Sequence, residues 1–75
     1  MTIEQIEVDA RNLSCPMPLL KLKQALNQAK CGQLIVLKAT DPASTRDVVA
    51  FAKLAQHDLQ LEENGKEFHF LVTKG

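Results

Sequence analysis

The stretch CPMPLLKLKQALNQAK, residues 15–30, decides the fold that we predict for this chain. Its leucines and alanines recur at helical spacing with lysine, glutamine and asparagine between them, which predicts an amphipathic helix over Pro16 to Lys30. Proline is well tolerated at a first helical position, because the amide that it lacks would have no partner within the helix. Pro16 therefore predicts that Cys15 is the N-cap, and Gly32 is expected to end the helix in a left-handed conformation.

Strand patterns lie on both sides of this helix. Before it, Ile6, Val8 and Ala10 alternate with Glu7 and Asp9, which predicts a half-buried strand over Ile3 to Asp9. After it, Gln33 to Ala39 is rich in Leu, Ile and Val without clear alternation, which suits an inner strand. A second amphipathic helix is then predicted to begin at Ser44 or Thr45 and to continue to about Gln56.

The last third of the chain predicts a β-hairpin. Asn64-Gly65 is a strong two-residue turn signal, and apolar and polar residues alternate on both sides of it, at Leu59 to Glu62 and at Phe68 to Val72. The element order is therefore βαβαββ, and a helix between the first two strands implies a right-handed crossover between parallel strands. We expect a two-layer α/β sandwich of the α+β kind, in which two helices cover one face of a four-stranded mixed sheet.

Composition limits the function classes. At 75 residues the chain is expected to be a single domain over residues 1–75. Nine basic residues balance nine acidic ones and the three aromatics are all Phe, which disfavours direct nucleic-acid binding. No apolar run approaches the roughly 20 residues of a membrane span, and Met1 to Val8 lacks the pattern of a secretory signal, so we expect a cytoplasmic protein that does not enter the membrane.

Cys15 is the candidate reactive residue. Prolines remove two of the four first-turn amides of the predicted helix, which leaves those of Met17 and Leu19 free to point at the sulfur. The positive end of a helix dipole can lower a thiol pKa from about 8.5 into the range of ~3.5 to 7.5. These features predict an exposed nucleophile of low pKa, whereas the alternative is a buried cysteine that only packs. Position alone leaves both interpretations open.

The second thiol and the histidines are expected to have no part in the chemistry. Cys31 lies 16 residues beyond Cys15, which in a helix is a separation of ~24 Å and too far for a disulfide. The helix dipole raises a thiol pKa at that end, so we expect Cys31 to pack. His57 and His69 fall on different elements, and the chain has neither a Cys-x-x-Cys motif nor a Gly-rich phosphate loop. We therefore predict no metal and no cofactor.

Charged residues near the two helix starts complete the candidate site. If the helices lie side by side, Lys21 and Arg46 are expected to steady the negative charge of a sulfur anion on Cys15. Taken alone, each is better explained as a solvated surface charge. Asp41 and Asp47 are interpreted as structural residues of a turn and a helix N-terminus, where the dipole favours acids.

With these motifs the sequence resembles the TusA-like (SirA-like) sulfur carriers, in which a Cys-Pro-x-Pro motif opens the first helix. The resemblance runs nearly end to end and is carried by Asp9, Leu13, Cys15-Pro16-Met17-Pro18, Thr40-Asp41-Pro42, Thr45-Arg46-Asp47, Phe51, Phe70 and Lys74. One departure is Asn12, where many members have glycine. Asparagine enters the left-handed region more readily than most residues, so the turn before Cys15 can be kept.

The resemblance implies a sulfurtransferase that acts as a covalent carrier. Cys15 would accept sulfane sulfur as a persulfide from a cysteine desulfurase or another donor protein, and would pass it to a downstream sulfurtransferase or acceptor protein. Such carriers serve 2-thiouridine formation in tRNA, molybdenum-cofactor enzymes or sulfur oxidation, and the sequence does not choose among them. The residues expected to support Cys15 are Pro16, Met17, Pro18, Leu19, Lys21 and Arg46.

A non-catalytic module is the alternative function. In that interpretation the chain is a regulatory or RNA-binding domain on the same fold, and Cys15 only caps the first helix.

Overall fold

The computed structural model describes residues 5–75, and its elements follow the predicted order. They are β1 (Ile6–Ala10), α1 (Met17–Gln28), β2 (Leu34–Ala39), α2 (Pro42–Leu54), β3 (Asp58–Asn64) and β4 (Glu67–Thr73). The predicted start of the first strand at Ile3 lies outside the described residues.

The four strands form one mixed sheet in the order β1-β2-β4-β3. β1 and β2 are parallel, whereas β4 pairs antiparallel with both β2 and β3. The chain therefore crosses from β1 to β2 through α1, and the predicted mixed sheet is confirmed. Within residues 5–75, no helix is long and apolar enough to cross a membrane.

The core lies between this sheet and the helices. Successive side chains of a strand point to opposite faces, so Ile35 and Leu37 of β2 lie on the same face, where Val72 and Phe70 of β4 are their register partners. All four are fully buried. Both helices add apolar side chains to this cluster, among them Leu22, Leu26 and Val48. The two helices thus cover one face of the sheet, as predicted.

The start of α1 differs from the prediction. The main-chain N–H of Met17 donates to the carbonyl of Ser14 at 2.9 Å, which closes a turn around Cys15 and Pro16. The Cys15–Pro16 peptide bond is cis. The first hydrogen bond of the helix runs from the Leu20 N–H to the Pro16 carbonyl at 3.0 Å. The helix therefore begins at Met17, and its N-cap is Pro16 rather than Cys15.

The end of α1 also differs from the prediction. The helix stops at Gln28, and Ala29 is already extended with a ψ of 154°. Gly32 does have the predicted left-handed conformation, with a φ of +85°. It lies in a separate turn, however, which the hydrogen bond from the Gln33 N–H to the Lys30 carbonyl closes at 3.0 Å. A positive φ at the third residue is what a type II turn requires.

α2 begins earlier than predicted, because its N-cap is Asp41 and not Ser44 or Thr45. Oδ1 of Asp41 accepts a hydrogen bond from the Ala43 N–H at 3.1 Å, and a proline occupies the first helical turn. Ser44 is instead buried inside that turn and its hydroxyl donates to Oδ2 of Asp41 at 3.4 Å. Asp41 therefore organises the start of this helix.

The hairpin turn is shifted by one residue from its predicted position. Asn64 still pairs with Glu67, so the turn consists of Gly65 and Lys66. Gly65 has a φ of +65°, and a left-handed first turn residue is what the tight hairpin turns demand.

Candidate functional site

The parallel pairing of β1 and β2 creates the candidate site. The carboxyl ends of parallel strands meet at one edge of a sheet, and here Ala10 is the register partner of Ala39. The chain after β1, which carries Cys15, therefore runs beside the chain after β2. Asn12 joins the two, because its N–H donates to Oγ1 of Thr40 at 2.9 Å. Asn12 has a φ of +65°, the left-handed conformation that the sequence predicted.

Asp41 fixes the main chain of Cys15 to the start of α2. The Cys15 N–H donates to Oδ2 of Asp41 at 2.8 Å, while the other oxygen of this carboxylate caps α2. The hydrogen bond from Cys15, followed by that from Ala43, lowers the pKa of Asp41. Asp41 is therefore an anion at neutral pH. Its carboxylate binds both the segment that carries Cys15 and the start of α2.

Asp47 contacts the sulfur of Cys15 itself. Sγ of Cys15 donates a hydrogen bond to Oδ2 of Asp47 at 2.6 Å. Cys15 is exposed, whereas Asp47 is half-buried on α2. The thiol thus remains open to a partner on one side and is held by a carboxylate on the other.

The predicted low pKa of Cys15 is wrong. Its pKa is raised, first by the hydrogen bond to Asp47, then by desolvation, and then by the negative charges of Asp47 and Asp41. A thiolate in this position would face two carboxylates, which favours the protonated form. The helix dipole argument placed the sulfur near the start of a helix but did not include these acids.

The helix-start residues do not supply the amide donors that the sequence predicted. The Met17 N–H is used by Ser14, and the hydrogen bond of the sulfur goes to Asp47. Pro18 is fully buried and Leu19 packs against the core, so both anchor the start of α1. Met17 is 43% exposed and lies on the surface beside Cys15.

The two predicted basic residues stand apart from the contacts of the sulfur. Lys21 is half-buried on α1 and Arg46 is exposed on α2. Among the described residues neither side chain forms an ion pair or a hydrogen bond. The charged groups that the structure places beside Cys15 are acidic.

The remaining candidates lie elsewhere. Cys31 is a free, exposed thiol beyond the opposite end of α1. Nδ1 of His57 accepts a hydrogen bond from the Gly75 N–H at 3.0 Å, and His69 pairs with Glu67 on the open face of the sheet. Within residues 5–75, no three side chains of His, Cys, Asp or Glu lie close enough together to hold a metal ion.

Sequence reasoning treated Asp41 and Asp47 as structural and missed their contacts with Cys15. For Asp41 a signal was available, because parallel β1 and β2 bring the segments that follow them together. The sequence held no such signal for the contact between Asp47 and Cys15. Its contact depends on the rotation of α2 about its axis, which only the packing of the helix fixes.

The sequence is similar to a described protein family over nearly its whole length. The family described as Sulfurtransferase TusA matches residues 6–74. The chain is 45% identical over 69 residues to the sulfur carrier protein TusA of Allochromatium vinosum, and the match covers 91% of each protein. It is 36% identical over 69 residues to YrkI of Bacillus subtilis, covering 91% of this chain and 92% of YrkI.

The fold is similar to that of a solved structure. The crystal structure of the SirA-like protein from Desulfitobacterium hafniense matches with a TM-score of 0.82 and covers 93% of this chain and 97% of that one. The two sequences are 19% identical, so this likeness bears on the fold alone.

Proposed function

The chain belongs to the TusA sulfurtransferase family, and we propose that it is a sulfur carrier whose Cys15 holds a sulfur atom as a persulfide. The observation that carries this proposal is the state of the Cys15 thiol, which is free, exposed and held in place by Asp41 and Asp47. A relative that is 45% identical is named a sulfur carrier protein, which supports the same role here.

The proposed reaction moves one sulfur atom without net oxidation. The Cys15 thiolate attacks the outer sulfur of a donor persulfide, the S–S bond of the donor breaks, and the donor thiolate leaves and takes up a proton. Cys15-SH and R-S-SH thus become Cys15-S-SH and R-SH. In delivery an acceptor thiolate attacks the outer sulfur of the Cys15 persulfide, and the Cys15 thiol is formed again. Neither step needs a further oxidant or reductant.

The partners that we propose are two proteins with reactive thiols. The donor is a cysteine desulfurase or another protein persulfide, and the acceptor is a downstream sulfurtransferase or another protein thiol. Because Cys15 must return to a free thiol in every cycle, we propose a compartment that keeps thiols reduced, such as the cytoplasm.

The supporting residues are proposed to act in two ways. One group fixes the turn and the helix start that present Cys15, and it consists of Pro16, Met17, Pro18 and Leu19. The other group, Lys21 and Arg46, is proposed to attract the anionic persulfide of a partner toward this end of the molecule.

Intact-mass spectrometry tests the proposal after incubation with a cysteine desulfurase and L-cysteine. We expect the chain to gain one sulfur atom that a reductant removes. Cys15→Ser should abolish this gain, and Cys31→Ser, which removes the other exposed thiol, should preserve it. A wild-type chain that gains no sulfur, or a Cys15→Ser variant that gains as much as the wild type, would contradict the proposal.

A further inference from the structure

The sulfur of Cys15 faces acids on the side that contacts the protein. Its Sγ donates to Asp47 at 2.6 Å and its N–H donates to Asp41 at 2.8 Å. Neither Lys21 nor Arg46, the basic residues expected at this end of the helices, pairs with these carboxylates within the part of the chain that the structure describes. The charged groups that act on the Cys15 thiol are therefore the two carboxylates of Asp47 and Asp41.

The empty and loaded carriers differ at this same atom. In the empty carrier, the neutral thiol has a proton that Asp47 accepts in a hydrogen bond. In the loaded carrier, Sγ is bonded to a second sulfur and has no proton to donate. A hydropersulfide is also more acidic than a thiol, so the loaded carrier tends to bear a negative charge beside two carboxylates, and like charges disfavour the ionised form.

We infer that Asp47 shifts the equilibrium of sulfur transfer toward release from Cys15, because it stabilises the empty carrier and destabilises the loaded one. The inference rests on the proposed function and concerns its delivery step. In that step, Cys15-S-S⁻ and an acceptor R-SH become Cys15-SH and R-S-S⁻. The S–S bond at Cys15 breaks, an S–S bond forms on the acceptor, and the acceptor proton ends on Sγ.

Two features of the site support this role. The contact between Oδ2 of Asp47 and Sγ is direct, so Asp47 touches the atom that leaves in the delivery step. The hydrogen bond to Asp47 is also the largest cause of the raised pKa of the Cys15 thiol. In the empty carrier, Asp47 therefore favours a protonated Sγ.

An exchange equilibrium tests the inference. The chain, in a Cys31→Ser background, is equilibrated in a buffer of glutathione persulfide and glutathione, and the ratio of loaded to empty carrier is read by intact-mass spectrometry. Asp47→Asn should raise this ratio roughly threefold or more, because the net free energy of a hydrogen bond to a charged group exceeds RT. Asp47→Glu, which keeps the charge, should stay closer to the wild type.

Matched variants separate this role from general effects. Asp58→Asn makes the same chemical change on the exposed start of β3 and should leave the ratio unchanged. Asp47→Ser, which also removes the charge, is measured in the same way. Circular dichroism verifies that Asp47→Asn and Asp47→Ser fold. An Asp47→Asn ratio equal to or below the wild-type ratio overturns the inference, as does an equal rise in Asp58→Asn.

The outcomes keep the two proposals apart. If the wild-type chain loads in this buffer and the substitution at Asp47 changes nothing, the inference fails and the sulfur-carrier proposal stands. If the wild-type chain takes up no sulfur on Cys15 from either the buffer or a cysteine desulfurase, the proposed function itself fails.

Discussion

A thiol that donates a hydrogen bond to a carboxylate loses its proton less readily than a free thiol, because the thiolate would lie beside another negative charge. At Cys15 the carboxylate is that of Asp47, and the charge of Asp41 acts in the same direction. The thiolate of Cys15 is therefore a minor form of the free protein at neutral pH. Reactivity at this residue should depend strongly on the pH and on Asp47.

The pH profile of alkylation measures this dependence. In a Cys31→Ser background, the rate of Cys15 alkylation by iodoacetamide should have its midpoint above the ordinary thiol value of about 8.5. Removing the charge with Asp47→Asn should move the profile to lower pH and speed alkylation at neutral pH. The gain in rate is smaller than the gain in thiolate, because a thiolate of lower pKa is also less nucleophilic.

Iodoacetamide is neutral, so charge repulsion of the reagent does not complicate the comparison. Asp58→Asn, at a remote exposed position, serves as the control and should keep the wild-type profile. Profiles that coincide for the wild type and Asp47→Asn would show that the contact with Asp47 does not set the protonation of Cys15.

At the scale of residues, the sequence predicted Cys15 as the candidate reactive residue but did not predict its surroundings. Cys15 was found because proline follows it directly and an amphipathic helix begins there. The predicted amide donors failed, because a turn uses the Met17 N–H before the helix starts. The carboxylate that meets the sulfur, Asp47, lies 32 residues away, and contacts at such separation depend on tertiary packing.

At the scale of elements, α1 is held at its carboxyl end by a residue from the end of the chain. Nζ of Lys74 donates to the carbonyls of Leu26 and Ala29, each at 2.8 Å. Leu26 lies in the last turn of α1 and Ala29 is its C-cap, where carbonyls lack the amide that a continuing helix would supply and the dipole favours a cation. The Leu26 carbonyl also accepts from the Ala29 N–H at 3.3 Å. The chain after β4 therefore completes the helix that follows Cys15.

Lys74→Met tests this contact, because it keeps most of the length of the side chain and removes the ammonium group. We expect the free energy of unfolding in urea to fall by about 1 to 3 kcal/mol, since hydrogen bonds that involve a charged group are lost. Lys53→Met changes a lysine in the last turn of α2 and should cost little. Equal losses in the two variants would mean that the Lys74 contacts add no specific stability.

The order and type of all six elements were predictable from the sequence, and their ends were not. Periodicity identified both helices, because an amphipathic face extends over several turns. The ends depend on local hydrogen bonds that compete with the helix. Asp41 caps α2 three residues before the predicted cap at Ser44, and Gly32 serves a turn rather than the end of α1.

At the scale of the whole molecule, the site consists of segments that are far apart in the sequence. Cys15 precedes α1, Asp41 follows β2, and Asp47 lies within α2. The parallel strands β1 and β2 bring the first two together, and the packing of the helices on one face of the sheet brings the third. The distance between Sγ and Asp47 therefore depends on the shared core.

We propose that residues 1–75 form one domain, and a core substitution tests whether the site and the fold are lost together. Leu22 is fully buried in α1, so Leu22→Ala should cost about 2 to 5 kcal/mol. This is a large part of the stability of so small a chain. Leu54→Ala makes the same change where the side chain is 87% exposed, and it should cost no more than ~0.5 kcal/mol.

Urea titrations followed by circular dichroism and by protection of Cys15 from alkylation supply the two readouts. If the core holds Cys15 against Asp47, the two curves should coincide in the wild type and should shift together to lower urea in Leu22→Ala. Cys15 becomes more reactive as the contact is lost, because a thiol in the unfolded chain no longer faces two carboxylates. A Cys15 curve that precedes the loss of helical signal would show that the site opens independently of the core, and that the contact with Asp47 is local.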